Sequence, residues 1–300
     1  MGRLTAPVRW GILGVGVAGR ARGRAIAADP ACVLVGGVRG RPAEIGAAEF
    51  PSAEALIAAV DAVAVCAPDA AHAALVGAAL GAGKAVLVEY PLAPRPPEAA
   101  ALIGQAAAAG LPLLVEHIEL LTPQARFLRG RAAGRTLLGG SLRGAVPARE
   151  PGVGVAQAHL ARLHRLVDAV GFPTRVDVLE RQPGRVVARF LYPGRSSRVP
   201  AVGAVDVELV MGDGARRRTE LALELHDGTV MQLDQTVLDG GAPVSLPAGE
   251  GLFARCHAAA MATLTAEAPF YVGLDRELAL LRLAAALDGE EAGGTAAAPG

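Results

Sequence analysis

The first 120 residues alternate short, almost uninterrupted apolar runs with alanine-rich stretches. The runs at 8–13, 32–38, 61–66, 85–89 and 113–116 are predicted strands, and the stretches at 17–28, 52–59, 70–80 and 97–109 are predicted helices between them. Each helix carries its own punctuation. Asp29-Pro30 stops the first, Ser52 is placed to cap the second, Gly81 ends the third, and the fourth has Pro97 near its first turn and Gly110 at its end. Strands that are apolar throughout and joined by helices predict a parallel sheet covered on both faces.

After about residue 122 the pattern changes. A helix is predicted at 123–133, a strand at 136–143 and a helix at 156–170. From 175 to 238 the chain reads as four or five longer strands separated by Pro-Gly, Gly-Asp-Gly and Asp-Gly turns. Asp227-Gly228, between 221–226 and 229–233, is a hairpin signal. Helices at 251–265 and 275–287 follow. The expected fold is therefore α/β at 1–122, then an α+β domain at 123–288 with a mostly antiparallel sheet and helices on one side, then a disordered tail at 289–300.

Composition narrows the setting. Basic and acidic residues balance at 29 each, which gives no reason to expect nucleic acid or an anionic membrane as a partner. No apolar stretch approaches the roughly 20 residues of a membrane span. The run at 8–18 is broken by glycines and leads into arginines, unlike a secretory leader. Cys32, Cys66 and Cys256 form neither a CxxC nor a disulfide framework, which fits a reducing cytoplasm, and Cys32 and Cys66 read as small core residues. Lys84 is the single lysine, so nearly all positive charge is arginine.

Gly14-x-Gly16-x-x-Gly19 follows the first strand and opens the first helix. In this setting the first glycine permits the tight turn, the second lets the backbone approach a pyrophosphate, and the third lets helix pack on strand. Gly14, Gly16, Val17, Ala18 and Gly19 are thus the expected phosphate cradle of a Rossmann dinucleotide site, the alternative being a structural turn in a chain of 38 glycines. The second strand ends Gly37-Val38-Arg39-Gly40-Arg41, where an NAD site usually offers an acid. Arg39 and Arg41 instead suit a 2′-phosphate and favour NADPH, unless both are merely solvated loop charges.

Ligands of such sheets bind outside the carboxyl ends of the strands. Those ends read Ala67-Pro68-Asp69 with His72 just after, Glu89-Tyr90-Pro91, and Glu116-His117-Ile118-Glu119. Four carboxylates, a tyrosine and two histidines on one sheet edge exceed what strand packing needs. Ala67, Pro68, His72, Glu89 and Tyr90 are accordingly expected to line the cofactor. His159 and His164 lack a carboxylate–histidine pattern, so no metal is expected.

The segment from Ala82-Gly83-Lys84 to Val88-Glu89-Tyr90-Pro91 resembles the Gfo/Idh/MocA oxidoreductases, most of which carry Glu-Lys-Pro where this chain has Glu89-Tyr90-Pro91. Lys84 begins its strand at the opposite end of the sheet, so lysine-mediated sugar oxidation is not expected. Glu-Tyr-Pro is the form of the biliverdin reductase branch. Val88-Glu89-Tyr90-Pro91-Leu92 is similar to that branch's VEYPM run, 116–121 to its EHVELL run, 137–142 to its LLKGSL run and Ala161-Arg162-Leu163 to its SRL segment. The likeness is dense from about 82 to 171, and Arg41 falls where the branch's NADPH-binding arginine is expected.

The resemblance implies hydride transfer from NADPH to the central methine carbon of biliverdin, a pyrrole nitrogen gaining a proton. It makes Tyr90, Glu89, Glu116, Glu119 and Arg162 the candidate catalytic residues, and Arg162, Arg165 and His72 the candidate substrate contacts. Arg162 and Arg165 stand three apart on one helix and could face one groove to hold propionates or lactam oxygens. Each has a plainer reading: a solvated helix face for the arginines, packing before proline for Tyr90, a helix-lining role for His72, and a structural role for His117. Two other functions share the cofactor site, an NADPH reductase of an imine or conjugated double bond and a non-enzymatic NADPH-binding regulator.

Overall fold

The structure, a computed structural model, describes residues 4–149, 152–193, 203–248 and 251–290. The predicted disordered tail from 291 onward lies outside the described residues. In chain order the elements are β1 (Val8–Val15), α1 (Val17–Ala27), β2 (Cys32–Gly40), β3 (Ala48–Glu49), α2 (Ala53–Ala58), β4 (Ala62–Val65), α3 (Asp69–Gly81), β5 (Ala85–Glu89), α4 (Pro96–Ala109), β6 (Leu113–Glu116), α5 (Pro123–Ala132), β7 (Leu137–Pro147), α6 (Leu160–Val170), β8 (Arg175–Gln182), β9 (Arg185–Tyr192), β10 (Gly203–Gly212), β11 (Arg218–Leu225), β12 (Gly228–Leu233), β13 (Thr236–Asp239), β14 (Ala242–Pro243), α7 (Leu252–Leu264) and α8 (Leu274–Asp288). Among the described residues no helix is long and apolar enough to cross a membrane.

The chain forms two compact units. The first contains a six-stranded sheet in the order β3-β2-β1-β4-β5-β6, with every pair parallel. Trp10 and Ile12 of β1 and all four residues of β4 are wholly buried, as a sheet covered on both faces requires. The strand order reverses between β1 and β4, which opens a crevice at their carboxyl ends. Ser52 caps α2 as expected, its hydroxyl accepting from the Ala55 amide at 3.2 Å.

The division falls after Ile118 rather than near 122, and α7 with the start of α8, through Leu278, belongs to the first unit. One side chain ties α7 to α1 within this unit. Arg22 of α1 donates to the Phe253 carbonyl of α7 at 3.3 Å, and its guanidinium lies 5.1 Å from the centre of the Phe253 ring. Hydrophobic periodicity cannot reveal such a partnership between segments more than two hundred residues apart.

The second unit contains an eight-stranded sheet in the order β14-β13-β12-β11-β7-β10-β9-β8. It is antiparallel apart from β7 and β10, which run parallel from Gly139 opposite Ala204 to Pro147 opposite Gly212. Alternate residues of β9 and β10 are buried: Val186, Ala188, Phe190, Val205, Val207 and Leu209. The intervening positions carry ion pairs such as Arg189–Asp206 at 2.7 Å. One apolar and one charged face is what period-two patterning specifies. The helix predicted from 156 begins as a 3-10 turn, Gln157–His159, before α6. Asp288 receives the amides of Ala156 and Gln157 at 2.7 and 3.0 Å.

Candidate active site

The glycine motif is built as the sequence reading expects. Gly14 has φ +97°, and a Cβ there would stand 2.6 Å from the Cys66 carbonyl oxygen at the end of β4. A Cβ on Gly19 would collide with the Gly14 carbonyl. Gly16 differs: it is the N-cap of α1, and a Cβ on it would meet nothing within 4 Å. No side chain caps the helix, its first turn carries no acid, and Val17 is 81 % exposed. The first amides of α1, at Val17 and Ala18, therefore open onto free space with the positive end of the helix dipole behind them. This arrangement fits a pyrophosphate.

At the carboxyl end of β2 both arginines are exposed. Arg39 sits in the left-handed region at φ +59°, a conformation that costs a non-glycine residue on the order of 1 kcal/mol or more. Arg41 pairs with Glu44 at 2.9 Å, and Arg20 reaches the other oxygen of Glu44 at 3.1 Å. The hydrogen bond from Arg41 holds the Glu44 carboxyl below the usual carboxylate range. Arg20, Arg24 and Arg41 all act on the single Glu44 carboxylate, which leaves a local excess of positive charge.

At the ends of β4 and β5, His72 is wholly buried. Its two ring nitrogens lie 2.7 Å from the Pro91 carbonyl and 2.8 Å from the Ala67 carbonyl. His72 therefore ties the turn Ala67-Pro68 to the turn that follows Glu89-Tyr90. It is a clamp, and neither ring nitrogen is turned to a ligand. Glu89 and Glu116 are neighbours across β5 and β6. Glu116 faces inward, where Arg22 pairs with it and both side chains are at most 1 % exposed. That carboxylate is held by a core arginine rather than presented at the sheet edge.

Tyr90 is half-buried and stacks on His117, with ring centres 5.1 Å apart and planes 14° apart. His117 is held at Nε2 by Glu277 of α8 at 2.7 Å, and the other Glu277 oxygen accepts from the Leu92 amide at 3.0 Å. The His117 amide donates to the Tyr271 hydroxyl at 3.1 Å. Sequence reading missed Glu277, Tyr271 and Arg22. Only Arg22 left a signal: it occupies the inward stripe of α1 with Gly19, Gly23 and Ile26, where an arginine demands a buried acid.

In the second unit Glu119 is buried, and its carboxylate lies 3.9 Å from the His164 Nδ1. Arg162 is 5 % exposed and donates from Nε to the Arg218 carbonyl at 3.1 Å and from a terminal nitrogen to the Ala145 carbonyl at 3.2 Å. It is a strut of the sheet. Arg165, one turn on, is half-buried. His159 donates to the Val210 carbonyl at 3.0 Å, and burial pushes it down to about 4.

Residues 8–117 match the model of an oxidoreductase family with an NAD-binding Rossmann fold, Gfo/Idh/MocA. A stretch of 114 residues is 37 % identical to mouse biliverdin reductase A, covering 37 % of this chain and 39 % of the mouse protein. The crystal structure of Synechocystis biliverdin reductase with biliverdin and NADP+ is similar over 94 % of this chain and 99 % of that one, at 26 % identity and a TM-score of 0.74. The UDP-N-acetylglucosamine 3-dehydrogenase GnnA of Acidithiobacillus ferrooxidans shares the fold, with a TM-score of 0.75 at 22 % identity over 94 % of this chain and 97 % of that one.

Proposed function

We propose that this chain, whose residues 8–117 match the Gfo/Idh/MocA oxidoreductase model, uses NADPH to reduce a linear tetrapyrrole, with hydride reaching the central methine carbon of biliverdin to give bilirubin. Tyr90 carries the reading. It stands where the sugar dehydrogenases of the family carry lysine, and it stacks on His117. A lysine amine that could take an alcohol proton is absent from that position, whereas reduction of a conjugated methine needs none there. The likeness to the Synechocystis protein over nearly the whole chain supports the same reading.

Bound NADPH would supply the hydride from its nicotinamide. Gly14, Gly16, Val17, Ala18 and Gly19 would hold the pyrophosphate on the α1 amides. Arg39 and Arg41 would take the 2′-phosphate. Ala67, Pro68, Glu89 and Tyr90 would border the nicotinamide, with His72 fixing the turns that carry them. Tyr90 keeps a phenolic hydroxyl for hydrogen bonding while its ring is held by His117. Of the carboxylates assigned to a protonated bilin, Glu119 keeps the role, because Arg22 already neutralises Glu116. The resemblance assigns both Arg162 and Arg165 of α6 to the substrate, and Arg162 already donates to two sheet carbonyls.

The test is an absorbance assay with NADPH and biliverdin, beside a panel of conjugated imines and a sugar-nucleotide alcohol with NADP+. Green biliverdin should turn yellow with equimolar loss of NADPH. Turnover of an imine or an alcohol in the absence of any reaction with biliverdin overturns the proposal.

A further inference from the structure

A second cluster of chemistry-bearing side chains lies in the first unit, at the opposite edge of the sheet from the cofactor cradle. Asp29 stands in the turn after α1, and its Oδ1 accepts the Ala31 amide at 2.9 Å. This fixes the carboxylate and directs Oδ2 inward. Oδ2 lies 2.9 Å from the His257 Nε2 and 3.6 Å from the Cys32 Sγ. The same sulfur is 3.6 Å from the His257 Nε2 and 3.5 Å from the Met261 Sδ. His257 and Met261 are i and i+4 on α7, so they share a helix face. His257 is 4 % exposed and Asp29 25 %, so the donors are mostly enclosed yet reachable from solvent.

These separations are close to the edges of a coordination tetrahedron. With metal bonds of about 2.3 Å to sulfur and about 2.0–2.2 Å to nitrogen and oxygen, the sulfur–nitrogen and sulfur–oxygen edges come to roughly 3.6 Å, the sulfur–sulfur edge to roughly 3.8 Å and the nitrogen–oxygen edge to roughly 3.4 Å. Three of the four measured separations fall within a few tenths of an ångström of those values. The fourth is short because a hydrogen bond now closes it, and it opens by about half an ångström when an ion takes the place of that proton.

We propose that Asp29, Cys32, His257 and Met261 form a binding site for one borderline-to-soft cation, zinc(II) being the best match. A thiolate and a carboxylate offset both charges of a divalent ion, and two sulfurs with an imidazole select against magnesium and calcium. The thiol proton leaves to solvent as the ion binds. The proposal departs from two sequence expectations, that Cys32 is a plain core residue and that no metal is bound, the second of which was argued from other histidines. Its role is to pin α7 to the turn between α1 and β2. Cys32 opens the nine-residue β2 whose far end carries Arg39, so the ion sits roughly 25 Å from the cofactor end of that strand. It should stabilise the fold without touching cofactor affinity.

The experiment uses the full chain stripped by a chelator and then dialysed against zinc(II), with metal analysis, melting temperature and cobalt(II) absorption as readouts. One zinc per chain is expected, with a raised Tm, an unchanged KM for NADPH and a thiolate-to-cobalt absorption band. Cys32→Ser and His257→Gln should each weaken zinc binding by more than the roughly 10–100-fold that loss of a merely supporting partner costs. Wild-type protein that retains no zinc, or variants that retain as much as wild type, overturn the proposal. A measurement on wild type alone guards against a variant that fails to fold. Zinc should slow iodoacetamide labelling of the Cys32 peptide, and an unchanged labelling rate also overturns it.

Discussion

Arg22 and Glu116 show how far one residue's role depends on a partner the chain brings from elsewhere. Both side chains are buried, so removing one leaves an uncompensated charge in the core. Arg22→Met should destabilise the fold by about 3–5 kcal/mol, while Arg22→Met with Glu116→Leu should recover most of the loss. Denaturant unfolding of both variants checks this, and equal losses would show that the two residues are not coupled. Tyr90 carries a different expectation. Tyr90→Phe keeps the ring on His117, so NADPH affinity should hold while turnover with biliverdin falls by roughly tenfold or more. Full turnover in Tyr90→Phe would leave the hydroxyl without a chemical part. Sequence reading named Tyr90, Glu89 and Glu116 because strand-end chemistry is local. It could not tell that His72 serves as a clamp or that Glu277 holds His117, because both depend on distances across folded segments, the latter spanning 160 residues.

The elements were legible where period and punctuation agree, and the motif at the head of α1 gives the sharpest test. All three glycines share one motif, yet their surroundings differ. Gly19→Ala should destabilise strongly, because its Cβ meets the Gly14 carbonyl. Gly16→Ala should fold normally, because its Cβ meets nothing, and should weaken dinucleotide binding instead. Thermal melts beside cofactor titrations separate the two, and a Gly16→Ala variant with wild-type affinity would remove the pyrophosphate from that position. The parallel pairing of β7 with β10 was not legible, since alternation fixes which face is buried but not which strand lies alongside. Nor was the 3-10 turn before α6, whose His159 reaches the Val210 carbonyl. Burial lowers His159 from 6.5 to about 4, so between those values the unfolded chain binds the proton and the folded chain does not. Stability is therefore intact above pH 6.5 and is lost as pH falls toward 4, by on the order of 3 kcal/mol from this residue. Unfolding of wild type and His159→Gln across that window should show a steeper loss in wild type, and parallel curves would refute it.

At the scale of the whole molecule the decisive quantity is a net charge of zero, from 29 basic and 29 acidic residues. A neutral protein gives little long-range guidance to an anionic cofactor, so charge selectivity must be local. The local source is the carboxyl end of β2, where Arg39 and Arg41 are exposed and Arg41 is 72 % accessible. NADPH and NADH differ only in the 2′-phosphate, so their ratio isolates that end of the site. Exposed contacts of this kind weaken with salt, since the screening length shrinks from about 30 Å at 0.01 M to about 3 Å at 1 M. The preference for NADPH over NADH in kcat/KM should thus be roughly tenfold or more at low salt and contract as salt rises. Arg41→Ala should lower the preference and flatten its salt dependence together, while NADH kinetics change little. Arg39→Gly adds a control: it relieves the left-handed backbone at that position, so it should hold or raise stability while lowering the NADPH preference. A preference that is independent of salt, or that survives both substitutions, would place recognition of the 2′-phosphate elsewhere than the end of β2.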